Sequence, residues 1–134
     1  IIILGFQDLA SSFFGGSKEA VTYWNTLVTK NINRLAPQFA YQLLTQETMG
    51  SVHMMIFTKK SVVVRLGDIA SCSVKTSTLG IGNTGANVVR FSFDDTSFCV
   101  LNVNLPYGDQ KSDVSRRHAT LNDVIQKAFK SERD

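Results

Sequence analysis

The order of local patterns along the chain predicts an α+β fold, part of a four-layer α/β sandwich in which two mainly antiparallel sheets are flanked by helices. Three observations carry this reading. The chain opens on a continuous apolar run, Ile1 to Phe6, too short for a helix. Two longer stretches, 17–35 and 112–130, repeat apolar residues at three- and four-residue steps. Between them lie short strand-like segments separated by turn residues. One strand, one helix, a run of strands and a closing helix match neither a Rossmann order nor an all-β sandwich.

The opening run 1–6 has the pattern of a strand covered on both faces, which leaves Asp8 at its end. In 17–35, Ala20, Val21, Trp24, Leu27, Val28, Ile32 and Leu35 form one apolar stripe. Ser17 is placed to cap this helix, Glu19 suits its positive first turn, and Pro37 stops it. Strands are expected at 40–45, 51–57, 62–66, 69–76, 86–93 and 97–103. The turns between them carry Met49-Gly50, Lys59-Lys60 and Asp94-Asp95-Thr96. The closing helix puts Val114, His118, Leu121, Val124, Ile125, Ala128 and Phe129 on one side, with a fraying charged tail. Trp24 and Phe129 are therefore expected on helices that cover the sheets.

A chain of 134 residues with 43% hydrophobic and 19% charged content fits a single globular domain with a real core, and excludes disorder and a coiled coil. The formal charge of +3 favours phosphate-rich partners or an anionic membrane surface, a solvated basic surface being the plainer alternative. Cys72 and Cys99 lie in apolar alternating stretches without C-x-x-C spacing, so buried, reduced thiols are expected rather than a zinc site or a disulfide framework. No run is long enough for a signal peptide or a membrane span. With no initiator Met, the chain is expected to be an interior segment of a longer protein.

Four short motifs follow strand-like runs in order: Gly5-Phe6-Gln7-Asp8, Gly82-Asn83-Thr84-Gly85-Ala86, Asn104-Leu105-Pro106-Tyr107-Gly108 and Arg116-Arg117-His118. Together they resemble the inositol polyphosphate 5-phosphatase family, most of all the phosphatase domain of synaptojanins, where the motifs read G-F-Q-E, G-N-K-G-A, H-x-A-A-G and E-R-N. Asp68-Ile69-Ala70, Val74-Lys75-Thr76 and Thr96-Ser97-Phe98-Cys99 extend the likeness, which runs from Gly5 to Phe129. It implies a deoxyribonuclease-I-like fold of the endonuclease–exonuclease–phosphatase group. It also implies a magnesium site that assists removal of the 5-phosphate from an inositol ring.

Each motif carries a changed residue. By the resemblance Asp8 stands at the metal-binding Glu, one methylene shorter, which removes about 1.5 Å of reach. Magnesium demands oxygen ligands at about 2.0–2.1 Å in near-octahedral geometry, so that reach matters. Asn104 stands at a phosphate-contacting His. As an amide it can donate a hydrogen bond to a phosphoryl oxygen, but it holds no transferable proton or charge. Thr84 replaces a Lys beside Asn83 in a Gly-rich turn of the kind that lines phosphate sites. Arg116 and Arg117 supply cations for a phosphate, Arg117 matching an Arg that braces the phosphate-contacting segment, and His118 replaces an Asn. The plainer readings are a turn aspartate at Asp8, a strand-end asparagine at Asn104, an ordinary turn at Gly82 to Gly85, and packed histidines at His118 and His53.

The upstream W-N and downstream G-D-L-N-x-R and W-x-D-R motifs of the resembled family have no counterpart here. The expected function is therefore that of a degenerate 5-phosphatase-like domain, catalytically weak or inactive. It would bind phosphoinositide or inositol phosphate, or serve a protein partner or the domains of a parent chain. The alternative is an active magnesium-dependent phosphoinositide 5-phosphatase completed by motifs outside the chain. A role on nucleic acid or sphingolipid is a remoter third, since no aromatic stacking pattern interleaves the basic segments. The expected location is the cytoplasm, including its membrane surfaces, through peripheral contact only.

Overall fold

A computed structural model of the chain describes residues 1–9, 18–76 and 84–130. Within them six strands and two α-helices form four layers, as the pattern of elements predicts. β1 (Ile2–Phe6), β2 (Tyr41–Met49) and β3 (Val52–Lys59) make one antiparallel sheet in the order β1-β3-β2. β4 (Leu66–Lys75), β5 (Gly85–Phe93) and β6 (Thr96–Asn104) make a second, in sequence order. Helix α1 (Lys18–Leu35) covers the first sheet and α2 (Lys111–Lys127) the second.

Strand alternation explains the layers. On β5, Val89 and Phe91 face the first sheet and pack with Met54 and Ile56 of β3, while Ala86 and Val88 face α2 and pack with Val74 and Val124. On β1, Phe6 turns to α1, with its ring centroid 5.8 Å from that of Trp24. The Ser17 cap expected for α1 lies outside the described residues. The rest of its apolar stripe is half-buried against the sheet, except Leu35, which is exposed.

Four expectations are corrected. Segment 62–66 is not a strand: Lys60–Arg65 is a 3-10 helix in which Val64 is 89% exposed. Here the chain crosses from one sheet to the other, and the β preference of Val62 to Val64 yields to that path. Strand structure resumes at Leu66 and runs without interruption to Lys75, bulging between Gly67 and Ala70. Segment 40–45 extends to Met49, because β2 pairs with β3 along its whole length. Cys99 is exposed, on the edge strand β6, and Cys72 is half-buried.

The fourth correction concerns α2, which ends at Lys127, so that Phe129 packs from beyond the helix. The helix buries Thr120 and Val124 and leaves Val114, His118, Leu121 and Ile125 exposed. His118 is thus not a packed histidine. Among the described residues no helix is long and apolar enough to cross a membrane.

Candidate functional site

The site forms where β1 and β6 end side by side. Past β1 the chain turns at Asp8, whose φ of 55° lies in the left-handed region that Asp tolerates better than most residues. The turn is tied to the β2–β3 hairpin. The Leu9 amide donates to the Ser51 carbonyl at 3.0 Å, and the Ser51 hydroxyl reaches Asp8 Oδ1 at 3.4 Å. From β6, Asn104 leads into Leu105-Pro106-Tyr107-Gly108, where Tyr107 is 92% exposed. Arg117 of α2 anchors this loop, its Nη1 donating to the Gly108 carbonyl at 2.6 Å. Gly108 has φ 136°, and a Cβ there would stand 2.1 Å from Asp113 Oδ2. That carboxylate also accepts the Gln110 amide at 3.1 Å and so caps α2.

An open cleft of about 600 Å³ results, lined by Gln7, Asp8, Asn104, Tyr107, Asp109 and Arg117 among others. Gln7 stitches its floor, with Nε2 donating to the Val103 carbonyl at 2.8 Å. A second hollow of about 380 Å³ adjoins it across Pro106, with Thr76, Thr84, Arg116, Thr120 and Asp123 on its walls. Arg116 is partly engaged there, 3.2 Å from Asp113 Oδ1.

Of the residues singled out from sequence, Asp8, Asn104 and Arg117 therefore share one cleft, and Thr84 and Arg116 share the hollow beside it. His118 lines neither. Asn83 lies outside the described residues. Gly85, the last glycine of the Gly-rich motif, has a structural reason: its φ is 140°, and a Cβ would fall 2.0 Å from the Val74 carbonyl oxygen. Among the described residues no three His, Cys, Asp or Glu side chains are grouped to hold a metal ion.

Beneath the cleft, Asn102 of β6 donates its amide to the carbonyls of Phe6 at 3.2 Å and His53 at 3.0 Å. His53 is fully buried between Thr48 and Asn25. Its burial holds the imidazole below its ordinary pKa, against the opposing pull of the Glu47 carbonyl and charge.

The sequence model of endonuclease/exonuclease/phosphatase family 2 matches residues 1–134. The chain belongs to this family. Among curated relatives, a probable inositol polyphosphate 5-phosphatase of Schizosaccharomyces pombe is 29% identical over 96% of the chain and 12% of its own length. Human synaptojanin-2 is 32% identical over 95% of the chain and 8% of its own length. The chain thus spans about a tenth of these relatives. Among solved structures that resemble the chain is the inositol polyphosphate 5-phosphatase domain of SPsynaptojanin, crystallised with inositol (1,4)-bisphosphate and a calcium ion. It superposes with a TM-score of 0.75 and 22% identity over 88% of this chain and 34% of the solved chain, a likeness of fold. The α/β sandwich and the inositol polyphosphate 5-phosphatase-like character expected from sequence both stand.

Several residues around the cleft carry little functional signal in the sequence. Gln7 and Tyr107 appear there only as letters of motifs, and Asp109 follows the motif from Asn104 to Gly108 without a signal of its own. Asn87 and Asn102 sit on inward-facing positions of otherwise apolar strands, and that break in the alternation was the available signal.

Proposed function

We propose that the chain provides the phosphate-facing rim of an inositol polyphosphate 5-phosphatase-like domain, binds inositol phosphate or phosphoinositide headgroups there, and turns them over weakly or not at all. The observation that carries this is the meeting of Asp8, Asn104 and Arg117 in one open cleft, from two strand ends and a helix far apart in sequence. The ligands of the solved synaptojanin domain support the choice of headgroup.

The chemistry follows from the side chains. The Asn104 amide can donate to a phosphoryl oxygen but has no proton to give a leaving alkoxide. Arg117 spends one N–H on Gly108 and keeps its positive charge at the cleft wall, where it attracts phosphate and fixes the loop. Arg116 and Thr84 extend the polar surface into the neighbouring hollow. Asp8 fits a single-ligand role for magnesium: its carboxylate lines the open cleft and, among the described residues, is held by a long Ser51 contact, and magnesium commonly takes one or two carboxylates with water and phosphate. When bound, such an ion neutralises charge on the phosphoryl oxygens. Further ligands would come from a protein partner or from other domains of a parent chain. The headgroup reading places the chain at cytoplasmic membrane surfaces.

Phosphate release from a 5-phosphorylated phosphoinositide with magnesium tests the proposal, beside calorimetric binding of inositol (1,4)-bisphosphate. Wild type is expected to bind without useful turnover, and Arg117→Ala to weaken binding. General acid–base help is worth about 10²–10⁴ in rate, so any turnover recovered should appear in Asn104→His. Turnover by wild type that is abolished by Asp8→Ala or by chelation would establish the active-enzyme alternative instead.

A further inference from the structure

Two asparagines face each other across the β5–β6 ladder, Asn87 opposite Asn102. Both amides leave their own sheet and bind the other. Asn87 Nδ2 donates to the carbonyls of Glu47 at 3.1 Å and Val52 at 3.0 Å. Asn102 Nδ2 donates to those of Phe6 at 3.2 Å and His53 at 3.0 Å. Glu47 belongs to β2, Val52 and His53 to β3, and Phe6 to β1, so the pair grips every strand of the opposing sheet. Phe6 and His53 are themselves register partners, which places Asn102 across a β1–β3 rung. The Ser73 hydroxyl oxygen lies 3.2 Å from Asn87 Oδ1, but its one proton goes to the Glu47 carboxylate at 2.7 Å, so the grip of Asn87 rests on its two Nδ2 bonds. Gly5 makes room for Asn102: a Cβ there would stand 3.0 Å from Asn102 Cγ and Oδ1.

We infer that Asn87 and Asn102 are positioning residues, a two-amide clamp that fixes where the ends of β1 and β6 stand relative to each other and so holds Asp8 and Asn104 on one cleft. Asn102 lies two residues before Asn104 on the same face of β6, and Phe6 lies two residues before Asp8. One side chain therefore spans the gap between the two strands just before each delivers its cleft residue. Apolar contacts between sheets tolerate sliding, because they are non-directional. Hydrogen bonds weaken steeply with angle and fix position. Asn87 is fully buried, where an unbonded amide is costly, so the two sheets are held where both amides stay satisfied.

The clamp rests on the headgroup reading only for its ligand measurement, and the test separates the two. Backbone amide NMR shifts and hydrogen exchange at Asp8, Leu9, Asn104 and Gly108 report the cleft, and titration with inositol (1,4)-bisphosphate reports binding. Asn102→Ala should move these amides, speed exchange at Leu9, and weaken binding by about tenfold, the worth of one or two hydrogen bonds. The control is Asn33→Ala. Asn33 also makes a doubly bonded side-chain link, to the Tyr41 carbonyl and amide at 2.8 Å each, but on the α1 side of the first sheet. It should lower the melting temperature and leave the cleft amides in place. Equal disturbance of the cleft by both variants, or none from Asn102→Ala, would overturn the clamp. If Asn102→Ala does not fold, Gly5→Ala decides, since it displaces the amide without deleting it: moved cleft amides support the clamp and unmoved ones refute it. Failure of wild type to bind the bisphosphate would remove the headgroup reading, while the amide shifts would still decide the clamp.

Discussion

The space between the two sheets is built in two ways. Toward the β5–β6 turn it is filled by Met54, Ile56, Val89 and Phe91, with Leu44, Leu66, Phe93 and Val100 around them. Toward the cleft it is spanned by amides and hydroxyls: Asn87 and Asn102 reach the opposing carbonyls, and Ser71 and Ser73 donate to the Glu47 carboxylate at 2.6 and 2.7 Å. The first half supplies most of the driving force for folding, in proportion to the apolar area it removes from water. The second contributes little net energy per bond but fixes distances and angles. Stability and placement of the cleft therefore depend on different residues and can be varied separately.

The largest effect is expected in the apolar half. Ile56→Ala removes a fully buried side chain and leaves a cavity, at a cost of about 2–5 kcal/mol. Urea denaturation should show it as a lower midpoint with an unchanged slope, while the cleft amides of the folded fraction keep their shifts. A cleft rearranged by Ile56→Ala would merge the two halves into one packing unit. Next comes Asn87→Ala, which takes the donor from two backbone carbonyls at the polar end and should cost about 1–3 kcal/mol. Its mark is the opposite combination: a smaller midpoint shift with cleft amides displaced.

The sequence revealed these two halves unequally. Alternation and periodicity give the strands 1–6, 51–57, 86–93 and 97–103 and the helix carrying Trp24, because burying apolar side chains is a local pattern with long-range consequences. They mislead at 62–66, where three valines read as a strand, yet the path between sheets decides the conformation. They mislead again on α2, whose apolar residues lie on more than one face. Arg117, tethered to the Gly108 carbonyl, helps to turn inward the face bearing Thr120 and Val124. The ordered motifs brought Asp8, Asn104 and Arg117 to notice, and these do meet in one cleft. The asparagine clamp stayed hidden because its partners are backbone carbonyls in the other sheet, which leave no trace in the order of side chains.

The smallest effect is a dependence on pH at the seam between α1 and the first sheet, next to the polar half. His53 is fully buried, 2.7 Å from Thr48 Oγ1 through Nδ1 and 3.0 Å from Asn25 Oδ1 through Nε2, and the Asn25 amide in turn bonds Gln46. A neutral ring satisfies this set: Nε2–H donates to the Asn25 carbonyl oxygen and Nδ1 accepts the Thr48 hydroxyl. Protonation would set a second donor against that hydroxyl and place a charge where burial already disfavours one, which is why the folded pKa lies below the ordinary 6.5. The unfolded chain takes up a proton near pH 6.5 while the folded chain has not yet done so, and stability falls wherever the unfolded state binds more protons. The His53 contribution is therefore complete above about pH 6.5 and declines as the pH drops from there toward the folded pKa. Carboxylates titrate lower, so the decisive measurement is the difference in melting temperature between pH 7.5 and pH 5.5 for wild type beside His53→Gln. Wild type should lose more than the variant over that interval, with exchange rising first in the amides of α1 that pack on β2. An equal loss in both proteins would mean that protonating His53 does not loosen this seam.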